Sequence, residues 1–296
     1  LWGIMRLKFT SQMAMILDYI HGNTCTCSQK TIKNYGRSIL EDSMHQAFKG
    51  KQMKNDETNF GFKNIKKNEK VKKVGGVFNS VSVNYDLMNN VMSFGLHRIW
   101  KKFVVETATL RPNAKILDIA AGTADLTLAL DKEKKGYEIF HTDINYSMLK
   151  EGKKKLINNG NILPSIVCDA ESLPFPANYF DCVTVGFGLR NMTQKDKALS
   201  EIYRVLCPGG KLIILEFSKV WRPLSKLYDA FSFKIVPKLG KLIANDEASY
   251  QYLIESIRVH PDQDELKKIM VNEGFENVSY LNLNAGIVAI HKGYKF

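Results

Sequence analysis

Residues 117 to 130 read LDIAAGTADLTLAL: an apolar run carrying one acid, a turn of very small residues with a single glycine, and then the start of a helical period. A strand that breaks into a glycine turn and enters a helix commonly opens a nucleotide-binding α/β unit. A dinucleotide fingerprint uses three glycines so that the backbone can approach a pyrophosphate, and a P-loop uses a lysine for its phosphates. AAGTAD, residues 120 to 125, has neither. It offers Gly122, where φ can be positive, and Thr123 as a hydroxyl donor or helix cap. A turn of this kind suits a nucleotide that brings no phosphate to the backbone.

Outward from that turn the same alternation continues. KILDIA, YEIFHTD, PSIVCD, FDCVTVGF and GKLIILEF read as strands, with helical periods near 125 to 133, 145 to 158 and 193 to 206 between them. Alternation of this kind predicts a parallel sheet covered on both faces. In RVLCPGGKLIILEF, Pro208, Gly209 and Gly210 read as a helix stop and tight turn before the fifth strand. A long insertion follows over about 218 to 260, then a helix near 262 to 273, and NVSYLNL and AGIVAIH flank Asn284 and Ala285 as a terminal hairpin. The expected fold is α/β: a Rossmann-like, seven-stranded, mostly parallel sheet closed by a C-terminal antiparallel hairpin, the layout of class I methyltransferases.

In such a sheet the ligand lies beyond the carboxyl ends of the strands. Those ends are acidic: Asp118 in the first strand, Asp143 closing the second and Asp169 closing the third. One carboxylate can accept two ribose hydroxyls, another an adenine amino group, and the set suits a sulfonium while repelling pyrophosphate. Singly, each has an ordinary reading. Thr123 or Asp125 can cap the next helix, and Asp143 alone would fit a nicotinamide ribose. Together with the glycine turn they point to S-adenosylmethionine, with S-adenosylhomocysteine as product and no metal.

The bulk numbers bound the rest. The chain has 296 residues, 45% of them hydrophobic, enough for one large core. A formal charge of +12 resides in spread lysine clusters such as KNIKKNEKVKK and KEGKKKL, which read as solvated surface rather than a nucleic-acid face. No apolar run reaches the roughly 18 residues of a membrane span, so membrane contact is expected to be peripheral. Five scattered cysteines form no framework and fit a reducing compartment. Residues 1 to 55 lack a clear period and read as a poorly ordered extension ahead of a domain over 56 to 296. As a transit peptide the extension is weak, having only Arg6 and Arg37 beside Asp18, Glu41 and Asp42, and Met53 is an equally good start.

The chain from Thr58 onward resembles the ubiquinone and menaquinone biosynthesis C-methyltransferases. The resemblance is carried by YDLMNNVMSFGLHRIWK at 85 to 101, DAESLPFPANYFD at 169 to 181, GFGLRNMTQKDKAL at 186 to 199, RVLCPGGKLIILEFSK at 204 to 219, YQYLIESIRVHPDQDELK at 250 to 267 and the terminal GIVAIHKGYKF. It implies C-methylation of a polyprenylated benzoquinol, extending to demethylmenaquinol, with S-adenosylmethionine as donor. It carries cofactor contacts to Thr123, Asp143, Asp169 and Ala170, beside Asp118, Gly122 and Gly186 from the strand ends. The family usually has glycines at the positions of Ala121 and Ala124 and often a serine at that of Gly186; an alanine methyl at 121 can crowd the cofactor, but the small size of all three residues is expected to preserve the pocket.

Arg190 and Asn191, after the fourth strand, are the candidates for orienting a quinol oxygen or stabilising a phenolate, and an arginine is too weak an acid to be the base itself. His97 and His260 are secondary candidates as proton acceptors, although a lone histidine is more often structural. Tyr85, Asp86 and Asn89 are expected to close over the site. Leu227, Tyr228, Phe231, Phe233, Ile235 and Val236 in the insertion are expected either to form a lid over the prenyl tail that rests on an anionic membrane or simply to pack. A nucleic-acid amino-methyltransferase should carry an Asn or Asp with two prolines and an aromatic where this chain has GFGLRN, which argues against that class. A non-catalytic cofactor- or quinone-binding subunit of a quinone-biosynthesis complex stays open, as does a homodimer. The expected location is the bacterial cytoplasm at the inner membrane, with the matrix side of the mitochondrial inner membrane as the alternative.

Overall fold

The computed structural model of the protein describes residues 56–296 apart from 83–84, 94, 134, 239–240 and 242–245; the extension expected over residues 1–55 lies outside the described residues. Ahead of the sheet come a hairpin, β1 (Glu57–Phe60) and β2 (Lys63–Lys66), and three helices, α1 (Lys67–Val81), α2 (Tyr85–Met92) and α3 (Leu96–Ala108). The alternating region then supplies β3 (Lys115–Ile119), α4 (Asp125–Asp131), β4 (Glu138–Asp143), α5 (Tyr146–Asn158), β5 (Ser165–Val167), β6 (Phe180–Gly186), α6 (Lys195–Val205) and β7 (Leu206–Phe217). The insertion carries α7 (Arg222–Ala230), a π-helical turn at Phe231–Ile235 and α8 (Glu247–Val259), and the chain ends with α9 (Gln263–Asn272), β8 (Glu276–Leu283) and β9 (Val288–Tyr294).

The strands form one seven-stranded sheet in the order β5-β4-β3-β6-β7-β9-β8. The first five are parallel, while β9 runs antiparallel to β7 and β8 antiparallel to β9. This is the expected α/β fold with its closing hairpin. Side chains alternate across a strand, so successive residues feed different layers. Leu117, Ile119, Val183, Val185, Leu212 and Ile214 face one way and pack with Leu199 and Ile202 of α6 and Leu266 and Met270 of α9. Ile116, Ile139, Cys182, Ile213 and Leu215 face the other way, against Trp100 and Val104 of α3 and Leu126 and Leu130 of α4. Near-continuous apolar strands are what burial on both faces requires.

The expected turn at Pro208 to Gly210 needs a correction. Helix α6 stops at Val205, and the strand begins at once, with Leu206 opposite Phe180. The register then slips before Cys182 meets Lys211, so Cys207 to Gly210 form an irregularity inside the strand, with Gly209 at φ +81. A bulge tolerates the proline because no ladder bond is asked of it. The insertion packs on the helices ahead of the sheet: Val236, Tyr250 and Ile254 form a small cluster with Val81.

Candidate functional site

The small-residue turn after β3 is built for close approach. Ala120, Gly122 and Ala124 all hold left-handed φ values of 51, 52 and 64. A Cβ on Gly122 would stand 3.1 Å from Met148 Cε and 3.9 Å from Asp143 Oδ2, so glycine answers both a backbone and a space demand. The Gly122 N–H donates to Asp143 Oδ2 at 2.9 Å, and the Asn145 N–H donates to Oδ1 at 2.7 Å. Burial nevertheless pushes the Asp143 carboxyl up to about 6, the backbone donors offsetting only part of the desolvation. From below, His141 Nε2 lies 3.1 Å from the Gly122 carbonyl and braces the turn.

Beyond these strand ends opens a cavity of about 350 Å³ whose walls include Gly122, Asp143, Asp169, Ala170, Gly186 and Asn191. Asp169, the exposed member, accepts the Glu171 N–H at 2.9 Å, while Ala170 is buried beside it. A glycine floor, a carboxylate held by two backbone N–H groups at one strand end and a second acid at the next fit the ribose and adenine of S-adenosylmethionine. No residue in this set is suited to a phosphate.

Three expected residues stand elsewhere. Asp118 is fully buried and lines neither this cavity nor the one described next; its two oxygens accept the hydroxyls of Thr127 and Thr184, each at 2.7 Å. Through these two bonds it ties β3 to α4 and β6, a structural role beside the cofactor contact expected of it. Thr123 turns away from the cavity and donates to Asp86 Oδ1 at 2.7 Å. Asp86 in turn pairs with Lys155, which also pairs with Asp125, and Asp125 takes Lys101 at 2.5 Å. Asp86 therefore latches α2 to the turn instead of facing the ligand. Neither Ala121 nor Ala124 lines the cavity, and the Ala124 methyl packs with Leu128 and Leu156.

A second cavity, of about 320 Å³, shares Phe78, Tyr85 and Phe187 with the first. Its walls are aromatic: Trp100 from α3, Phe217 at the end of β7, Tyr228 and Phe231 from the insertion, and Tyr252 from α8. Phe187 holds φ at 59, rare for a bulky residue, and its ring lies 6.0 Å from Trp100 and 4.8 Å from Phe217. Tyr85 and Asn89 of α2 also line this cavity. Burial pushes the Tyr85 phenol up, with Arg190 opposing, so it stays protonated.

Arg190 and Asn191 occupy a single 3₁₀ turn, Leu189–Asn191, at the junction. Arg190 lines the aromatic cavity and Asn191 the polar one. Arg190 is almost fully buried; its Nη1 donates to Glu216 Oε1 at 3.0 Å and to the Phe187 carbonyl, and its N–H donates to Glu216 Oε2 at 3.1 Å. Asn191 Oδ1 accepts the Tyr252 hydroxyl at 3.0 Å. Glu216 and Tyr252 escaped the sequence reading. An acid inside the apolar run KLIILEF was the available signal for the first, and nothing local marked the second.

His97 lines the aromatic cavity, with Nε2 at 2.9 Å from Asn90 Oδ1. Burial and then Lys101 hold it down at about 4, so it is neutral at pH 7. His260 lines neither of these two cavities. In the insertion, Tyr228 and Phe231 face the aromatic cavity, whereas Trp221 and Leu227 are 63% and 72% exposed. Among the described residues, no group of His, Cys, Asp and Glu is arranged to hold a metal ion, and no helix is long and apolar enough to cross a membrane.

The family model described as the ubiE/COQ5 methyltransferase family matches residues 64–295 of this chain. Proteins called ubiquinone/menaquinone biosynthesis C-methyltransferase UbiE from Burkholderia mallei and Burkholderia thailandensis are 58% identical over 240 residues, covering 81% of this chain and 99% of each relative. Among solved structures, a SAM-dependent methyltransferase from Thermotoga maritima aligns at TM-score 0.54 and 18% identity, over 75% of this chain and 99% of its own. A chain from the complex of the Haloferax volcanii Trm112 methyltransferase activator with a methyltransferase aligns at TM-score 0.53 and 13% identity, over 73% of this chain and 96% of its own. Those two likenesses are of fold.

Proposed function

Because this chain belongs to the ubiE/COQ5 methyltransferase family, and is thus a methyltransferase, we propose that it moves the methyl group of S-adenosylmethionine to a ring carbon of a polyprenylated benzoquinol, and of demethylmenaquinol, in ubiquinone and menaquinone biosynthesis. The observation that carries this reading is the meeting of a polar, acid-ended cavity and an aromatic one at Phe78, Tyr85 and Phe187, with Arg190 and Asn191 in one turn between them.

Bound in the polar cavity, the cofactor supplies an electrophilic methyl on a sulfonium. Asp143 takes the ribose hydroxyls, Asp169 and Ala170 flank the adenine, and Gly122 and Gly186 keep the floor and wall low. In the aromatic cavity Phe187 and Trp100 hold the quinol ring, and Tyr228 and Phe231 cover the start of the prenyl tail. A quinol carbon is already a fair nucleophile, so holding it in line supplies most of the barrier reduction. Arg190 remains protonated. Its charge stabilises the phenolate that develops as a quinol hydroxyl loses its proton to water, and Asn191, fixed by Tyr252, sets the position of that oxygen. Neutral His97 is held by Asn90 and has a supporting role.

The exposed Trp221 and Leu227 of the insertion, with Arg222 and Lys226 beside them, suit peripheral contact with an anionic bilayer, from which the substrate would enter. In this reading the protein works at the cytoplasmic face of a bacterial inner membrane, or on the matrix side of the mitochondrial one, in a quinone-biosynthesis complex or as a homodimer. The test uses the full chain. Calorimetric titration with S-adenosylhomocysteine should show binding, and incubation with S-adenosylmethionine and a short-tailed quinol should yield the C-methylated ring by mass spectrometry. Binding without transfer would favour the non-catalytic subunit; absence of binding would overturn both.

A further inference from the structure

Arg190 and Tyr252 also border a third cavity, of about 60 Å³, separate from the two described above. Its other polar walls come from Thr58 and Asn59 of β1, Lys70 of α1, Lys195 at the start of α6, Ser256 of α8 and His260 just past it, and no carboxylate lines it. Lys70 is almost fully buried, with Nζ held 3.0 Å from the Met192 carbonyl. Of the acids that act on these lysines, Glu216 is engaged by Arg190, Glu171 by the N–H groups of Thr193 and Gln194, each at 2.8 Å, and Asp196 is exposed. Two lysines therefore meet the Nε side of the Glu216-paired Arg190 around a small space that no carboxylate lines.

A second observation is independent of the charge. Arg190 Nε and both ring nitrogens of His260 are buried with no hydrogen-bond partner among the described residues. All three belong to residues of this cavity's wall. Buried polar atoms are almost always satisfied, so a cluster of orphans around one void calls for an occupant. At roughly 10–15 Å³ per water-sized occupant, the space of about 60 Å³ takes only a handful of heavy atoms, enough for a small ion and too few for a nucleotide or a quinol. The protonation states agree: burial and Lys195 bring Lys70 down to about 8, and burial, then Lys195 and Arg190, hold His260 well below its usual range. An isolated cation buried in this way is costly unless paired.

We propose that this cavity is a binding site for a small monovalent inorganic anion, of the chloride or bicarbonate class, held by Lys70, Lys195, Arg190 Nε and one ring N–H of His260. The anion offsets the charge on the side of Arg190 away from the aromatic cavity and selects the His260 tautomer that donates to it. The site does not depend on the methyl-transfer reading, since its ligand takes no part in chemistry.

The test is thermal melting of the full chain at matched ionic strength in chloride, bromide, bicarbonate and gluconate salts, gluconate being too large to enter. Chloride or bicarbonate should raise Tm over gluconate by about 2–4 °C, and which of them does so identifies the source. Lys70→Met and His260→Phe should each abolish that increment whatever their own Tm, and a crystal grown in the stabilising salt should show the anion in the cavity. Equal melting in every salt, an undiminished increment in Lys70→Met, or a crystal with water alone in the cavity would each overturn the proposal.

Discussion

The two cavities that meet at Phe187 are made by different means. The polar one is assembled from strand ends: Gly122 follows β3, Asp143 closes β4, Asp169 follows β5 and Gly186 closes β6. Each wall residue is placed by its position in a repeating unit, and backbone N–H groups do much of the holding. The aromatic cavity is assembled from helices and the insertion, with Trp100 and Tyr252 brought together from either side of the alternating region. Its walls are held by side-chain packing. The first kind of site is governed by local backbone geometry and the second by long-range contacts, so the two should fail differently when residues are changed.

The most damaging change should fall on their shared boundary. Arg190→Met leaves the Glu216 carboxylate buried without its partner, and unfolding in urea should show a loss of about 3–5 kcal/mol. Adding Glu216→Gln should restore much of it. A loss under about 1 kcal/mol in the single variant would show that the pair does not hold the boundary together.

Next in size, Asp143→Ala removes a charged acceptor worth about 1.5–3 kcal/mol, so calorimetry should find S-adenosylhomocysteine bound roughly 10- to 150-fold more weakly. Quinol binding, followed by tryptophan fluorescence, should be unchanged. Equal weakening of both ligands would mean that the cavities are not separable.

The same carboxyl makes the polar cavity sensitive to pH. Only ionised Asp143 accepts both ribose hydroxyls, and its value of about 6 means cofactor affinity should hold above that pH and fall about tenfold per unit below it. Asp143→Asn should flatten the profile. Asp118 acts on stability with its own sign: a folded value of about 6 lies above the unfolded value of about 3.9, so its contribution is present below the unfolded value and lost as pH rises through about 6. Asp118→Asn should remove that decline between pH 4 and 7 in urea midpoints, while leaving the cofactor profile in place.

The smallest effect is expected at the outer rim of the aromatic side. Trp221→Ser with Leu227→Ser should lower sedimentation with anionic vesicles about tenfold, as loss of two side chains only shallowly inserted at an interface would. Turnover of a short-tailed quinol should be unaltered. Undiminished vesicle binding would return this face to ordinary surface.

Legibility follows the same division. The order of strands and helices, the glycine turn and the acids at strand ends were readable because hydrophobic period and turn chemistry are local properties. Gly122, Asp143, Asp169 and Ala170 line the polar cavity for that reason. Asp118 and Thr123 do not line it, because a strand end marks where a residue is, while the rotamer and its partner decide where the side chain points. Thr127 and Thr184 claim Asp118, and Asp86 claims Thr123.

By itself, the sequence determined the sheet, its closing hairpin and a nucleotide pocket without a phosphate cradle, since all three follow from periodicity and from which residues tolerate a tight turn. Only the tertiary structure decided that Glu216 and Tyr252 fix the Arg190–Asn191 turn, that His260 faces a cationic void, and that the insertion turns aromatics inward and Leu227 outward. Those outcomes depend on packing between segments distant in the chain, where burial converts an ordinary charge or ring into a paired or excluded one.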